Sequence, residues 1–137
     1  MSVILDSSIA LAWIYADEAT DAVLRVFDTV KKNGAWVPGL WRWEVANVLL
    51  LNGSRGRHSK DFSRAALSAL AIMPIRVDAD AERLAWSDAF ALGERHHLTL
   101  YDSSYLELAV RRRLPLASLD RQLRAAAESA GIQLLGM

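Results

Sequence analysis

The chain has 137 residues, no cysteine, and 16 basic against 16 acidic side chains, so its formal net charge is zero. That length makes one domain able to bury roughly two-thirds of its unfolded surface. The missing thiols exclude disulfides, thiolate catalysis and thiolate zinc sites and fit a reducing cytosol; no apolar run nears the roughly 18 residues that span a bilayer, and no basic-then-apolar leader opens the chain.

Val3-Ile4-Leu5 is a short apolar run of the kind buried on both faces in a parallel sheet. Asp6 follows it, then Ser7 and Ser8, then Ile9, Ala12 and Trp13 at the spacing of a helix that ends by Tyr15. Asp6 reads either as a helix N-cap or as a carboxylate delivered to the carboxyl edge of a sheet, where open α/β proteins bind ligands. A second helix runs from Glu18 to Lys32 with Ala22, Val26 and Val30 along one side, and Asn33-Gly34 stops it. Ala35–Val37 is a brief strand closed by Pro38-Gly39. Leu40–Leu51 is apolar nearly all round, which predicts a deeply buried helix.

Ser54–Ser59 is a polar, cationic loop, and Lys60–Ala71 returns to helix with Phe62, Ala66 and Leu70 aligned. Pro74 breaks that helix, and Ile75–Val77 reads as an edge strand. Asp78 or Asp80 is expected to cap a longer helix reaching His96. After Leu98-Thr99-Leu100 comes a helix with Tyr105, Leu108, Ala109 and Arg112 on one side. Leu114–Ser118 supplies a strand, Asp120 starts the last helix, Gly131 stops it, and Ile132–Leu135 closes the chain as a strand. Strands alternating with helices throughout predict a single α/β domain over residues 1–137, its mostly parallel sheet of about five strands sandwiched by helices.

Four carboxylates stand apart from the rest: Asp6, Glu44, Asp102 and Asp120. Glu44 sits inside an apolar helix, where Leu40, Glu44, Asn47 and Leu51 share one face. A buried carboxylate is costly unless it is paired, coordinated or turned to a wet cleft. Asp102 and Asp120 each read as helix caps, a role compatible with turning outward to a cation. If the four converge at the carboxyl rim of the sheet, their repulsion holds protons on some of them unless a cation is present. A hard divalent ion, Mg²⁺ or Mn²⁺, meets that need because it prefers oxygen ligands and keeps water. The chemistry such a site supports is phosphodiester hydrolysis, with Ser8, Asn47 and Ser118 as polar neighbours that orient carboxylates or waters.

At these residues the sequence resembles the PIN domain, and within it the small VapC-type toxins of bacterial toxin–antitoxin pairs. The matching motifs are Val3-Ile4-Leu5-Asp6-Ser7-Ser8, then Glu44 with Asn47 in the helix after Pro38. They continue with the stretch from Leu98 to Ala109 around Asp102, and with Leu114–Leu123 around Ser118 and Asp120. The resemblance implies a parallel sheet between helices, with Asp6, Glu44, Asp102 and Asp120 in the family's four acidic positions. It further implies cleavage of RNA dependent on Mg²⁺ or Mn²⁺, a homodimer, and neutralisation by a small antitoxin. Some members carry a further aspartate near the last position. Here Ser118 stands there, which argues against a complete second metal site.

The cationic groups Arg55, Arg57, His58, Lys60 and Arg64, and Arg111, Arg112, Arg113, Arg121 and Arg124, read as solvated helix ends and loops or as phosphate contacts. The five tryptophans are expected mostly in the core, with Trp13 and Trp41 or Trp43 on helices that in the family flank the antitoxin groove. His96 and His97 are adjacent on a helix and do not face one metal. Two other classes compete with the nuclease. A non-catalytic interaction module on the same fold should lose acidic positions, and none is lost. An aspartate phosphoryl acceptor wants a second aspartate at Ser8 or a late lysine, and no lysine follows Lys60.

Overall fold

The computed structural model describes residues Met1–Met137. Five short strands build one sheet: β1 (Val3–Leu5), β2 (Ala35–Val37), β3 (Ile75–Val77), β4 (Leu116–Ala117) and β5 (Leu134–Leu135). Every neighbouring pair is parallel and the order is β3-β2-β1-β4-β5. The helices are α1 (Ser7–Ile14), α2 (Asp21–Asn33), α3 (Leu40–Ser54), α4 (Lys60–Ala71), α5 (Asp88–His96), α6 (Leu100–Arg112) and α7 (Arg121–Ser129). The predicted α/β sandwich is therefore present, with a sheet that is wholly parallel.

Short strands flanked by helices need apolar residues at every position, and β1 obeys this: Val3, Ile4 and Leu5 are all buried. The strand order runs outward from β1 on both sides, so the topology reverses between β1 and β4. Parallel sheets bind ligands at such a reversal, outside the carboxyl ends of the strands. There the amide of Asp6 donates to the Ala117 carbonyl at 3.0 Å, which joins the two strand ends. Helix α6 is buried from Ser103 to Ala109 and packs along the sheet close to that junction. Gly34 ends α2 at φ 82°, a left-handed conformation that glycine adopts without cost and that turns the chain into β2.

Three expectations are corrected. Helix α3 is not deeply buried: it buries only the stripe Trp41, Val45 and Leu49, while Trp43 and Leu50 are 80% and 66% exposed. Its composition is apolar all round because a second face is left open rather than packed. Three of the five tryptophans join the core as expected, Trp41 buried and Trp13 and Trp36 packed against it, but the expected exposed anchor on α1, Trp13, is partly covered while Trp86 is 93% exposed. Nor does a single helix run from Asp78 to His96. A turn and a 3₁₀ segment (Arg83–Trp86) precede α5, and Ser87 at φ −126°, ψ −95° separates them.

Asp78 caps no helix because two guanidinium groups claim it. Arg111 Nη2 donates to Asp78 Oδ1 at 2.8 Å and Arg112 Nε donates to Oδ2 at 2.7 Å, while Arg111 also grips Glu107 at 2.7 Å. Arg112 further stacks over the Trp36 ring at 3.5 Å. Burial would raise the Asp78 carboxyl, but the bonds from Arg111 and Arg112 outweigh it and hold the group at about 2. Arg124 is also internal, donating to the Ser118 and Leu135 carbonyls at 2.8 and 2.9 Å. These arginines are thus engaged by carboxylates and carbonyls of the fold while remaining partly exposed.

Removing Asp78 leaves two half-buried guanidinium groups without their shared partner. Asp78→Ala is expected to lower the unfolding free energy by about 3 kcal/mol, measured by denaturant titration; a loss below about 0.5 kcal/mol contradicts the role given to this cluster.

Candidate active site

The site is assembled by four backbone elements ending at one edge of the sheet. Asp6 leaves β1, Asp120 follows β4, Asp102 lies in the first turn of α6, and Glu44 projects from the second turn of α3. Asp6 occupies the N-cap position of α1 but makes no capping bond. Its carboxylate is 5% exposed and is held by two hydroxyls, Ser8 at 2.7 Å and Ser118 at 2.8 Å, both donating to Oδ2. Ser8 Oγ in turn accepts from the Leu119 amide at 2.9 Å, and Ser118 Oγ from the Asp120 amide at 3.0 Å. The two serines singled out from the sequence therefore lock Asp6 to the chain that carries Asp120.

Asp120 caps α7, as the sequence suggested, with Oδ1 accepting from the Leu123 amide at 2.9 Å. Asp102 does not cap α6. Thr99 does so, accepting the Asp102 amide at 3.2 Å, which leaves the Asp102 carboxylate to project from the first turn. Glu44 is half-buried, and its Oε1 accepts the Tyr105 hydroxyl at 2.5 Å. Sequence reasoning placed Tyr105 only on an apolar helix side. The available signal was chemical: a tyrosine buried in a core helix needs a partner for its hydroxyl, and Glu44 was the unpaired acceptor. Asn47 does not join the group; its exposed side chain lines a neighbouring groove between α3 and α4.

The carboxylates act on one another. Burial pushes Asp6 up, the Ser8 and Ser118 bonds pull it back in part, and the charge of Asp120 raises it further. Burial also pushes Glu44 up against the Tyr105 bond, with Asp6 and Asp102 adding to the rise. Asp102 is raised to about 6 by burial and by the charges of Asp120 and Asp6. Burial, Glu44 and Asp6 push the Tyr105 phenol upward, so it stays protonated and donates. Asp6 and Asp102 are thus the electrostatic centre, with Glu44 on one flank and Asp120 on the other.

This donor set fits a hard cation. Asp6, Glu44 and Asp120 each spend one oxygen on an orienting hydrogen bond and leave the other uncommitted to those partners. All the converging groups are oxygen donors, and no cationic side chain offsets them as Arg111 and Arg112 offset Asp78. No three acid or histidine side chains form a ready-made cage around one point. The acids are coupled through their charges rather than gathered into a formed cage, so an ion held here would take one or two carboxylates directly and the rest of its shell from water.

The raised groups set a sign for stability. Asp102 holds its proton more tightly in the folded state than a free aspartate, whose ordinary value is 3.8, so its contribution is full below that pH. The contribution is lost as pH rises through about 6. In metal-free buffer at about pH 7, Asp102→Asn should therefore stabilise the fold by about 1 kcal/mol, discounted for its partial exposure. A rise in Tm of about 3 °C by calorimetry is the expected result; a fall shows that the charge is not strained in the folded state.

Comparison with known proteins shows the family and the fold. The PIN-domain family model matches residues 3–129. The chain is 31% identical over 125 residues to the protein named Ribonuclease VapC3 from Pyrobaculum aerophilum, covering 90% of this chain and 92% of that one. The crystal structure of PAE2754 from Pyrobaculum aerophilum superposes with a TM-score of 0.64 at 20% identity, covering 92% of this chain and 84% of that chain, a likeness of fold. No helix is long and apolar enough to cross a membrane. The chain belongs to the PIN-domain family.

Proposed function

We propose that the protein is an endoribonuclease dependent on Mg²⁺ or Mn²⁺ that hydrolyses RNA phosphodiester bonds. In the same reading it is the toxin of a VapBC-type pair, working in the cytosol as a homodimer and held in check by a small antitoxin. The observation that carries this reading is a set of unpaired, mutually repelling carboxylates at the β1–β4 reversal. Likeness to a VapC ribonuclease supports the substrate class.

A bound divalent ion supplies positive charge for the phosphate and lowers the pKa of a water for attack at phosphorus. Asp6 and Asp102, which each raise another acid of the group, would be the residues that hold it. Ser8 and Ser118 both donate to Asp6 Oδ2 and so keep the carboxylate in one orientation before any ion arrives. Tyr105 does the same for Glu44, which is placed on the flank to accept a proton from an attacking water. Asp120 adds negative charge on the opposite flank and is anchored by its capping bond.

Incubation of the protein with structured RNA and Mn²⁺ should give cuts that a chelator abolishes. Asp6→Asn and Asp102→Asn should each lose at least about 100-fold in rate, and Tyr105→Phe about tenfold, as an orienting partner does. Variants that cut as fast as the parent remove the site assignment, and intact RNA with the parent protein removes the nuclease reading.

A further inference from the structure

A groove that the chemistry above leaves unused lies along α3, the helix that carries Glu44. It runs between α3 and α4, encloses about 640 Å³, and is lined by Trp43, Asn47, Leu50, Lys60 and Arg64 among others. Trp43 is 80% exposed, an unusual state for the largest apolar side chain on a helix that also buries Trp41. It directly precedes Glu44 in sequence, and Asn47, which also lines the groove, stands one helical turn from Glu44 along α3. Its two ionisable lining groups, Lys60 and Arg64, are both cationic and exposed, and neither forms an ion pair.

We infer that this groove is a subsite for a single-stranded stretch of RNA next to the scissile bond, with an unpaired base stacked on Trp43 and phosphates on Lys60 and Arg64. An aromatic face beside unpaired cations is the arrangement by which proteins hold single strands, the ring taking any base and the cations following the backbone. The free amide of Asn47 adds a donor and an acceptor at the edge of that ring. The groove also resolves an electrostatic difficulty: a four-carboxylate pocket repels a polyanion, and cations close by keep the strand at the edge. A base in a duplex has no free face to offer Trp43, so the subsite favours loops and unpaired segments. The inference rests on the nuclease reading, but its test separates the two.

A fluorescently labelled, unstructured oligoribonucleotide is titrated against the cleavage-deficient Asp6→Asn protein, and against the same protein carrying Trp43→Ala or Lys60→Gln with Arg64→Gln. Trp43→Ala should weaken binding about tenfold and remove most of the tryptophan quenching caused by RNA. Removing the two cations should make the slope of log affinity against log salt shallower by about 0.7 for each charge. In the parent background, Trp43→Ala should raise KM and leave kcat nearly unchanged. Because Trp43 is exposed, an unchanged Tm verifies folding. Unaltered affinity and salt slope overturn the subsite while cleavage by the parent still stands. A change of oligomeric state in Trp43→Ala assigns the groove to contact between copies and overturns it too. Failure of the parent to cut any RNA with Mn²⁺ removes the nuclease reading instead.

Discussion

One buried carboxylate organises the molecule. Asp6 sits where the sheet reverses direction, with its amide joined to β4 and its side chain gripped by hydroxyls from both strand ends. A charge in that position is costly, and two hydroxyl bonds offset only part of the cost. The fold supplies no lysine, arginine or histidine to finish the job. What it supplies instead is three further acids, which deepen the same deficit.

The contrast with Asp78 shows that this is selective. Both aspartates are nearly inaccessible and both follow a strand of the same sheet. Asp78 receives two guanidinium groups and is held at about 2, whereas burial and the charges of Asp120 and Asp6 drive Asp102 to about 6. The chain has arginines at hand, and it spends them on the edge strand, on Glu107 and on the β4–β5 carbonyls. Acids that serve the fold are neutralised internally. Acids at the reversal are left to be neutralised from outside, which is how functional sites come to hold strongly shifted groups.

Much of this was legible in the sequence because it rests on local rules. A three-residue apolar strand followed by Asp6, and an acid inside the apolar run around Glu44, mark a parallel sheet and a charge with no local partner. Ser8, Ser118 and the cap at Asp120 follow from the chemistry of strand-to-helix turns. What escaped depends on contacts between distant segments. Asp78 looks like a helix cap until Arg111 and Arg112, more than thirty residues away, are brought against it. Tyr105 and Glu44 are 61 positions apart, and no periodicity links them. The open face of α3 escaped for the opposite reason. Hydrophobic pattern shows which residues are apolar, not which of them a partner helix covers, so Trp43 and Leu50 look like core until packing leaves them out.

Protons held on the raised carboxylates are what a divalent cation must displace to bind among them. Calorimetric titration of the protein with Mn²⁺ near pH 6, repeated in buffers of different ionisation enthalpy, counts those protons directly. The account predicts proton release of the order of one per ion bound, shrinking toward zero near about pH 8 as Asp102 and its neighbours ionise beforehand. Mn²⁺ binding without proton release at either pH, or no binding to the intact pocket at all, contradicts it.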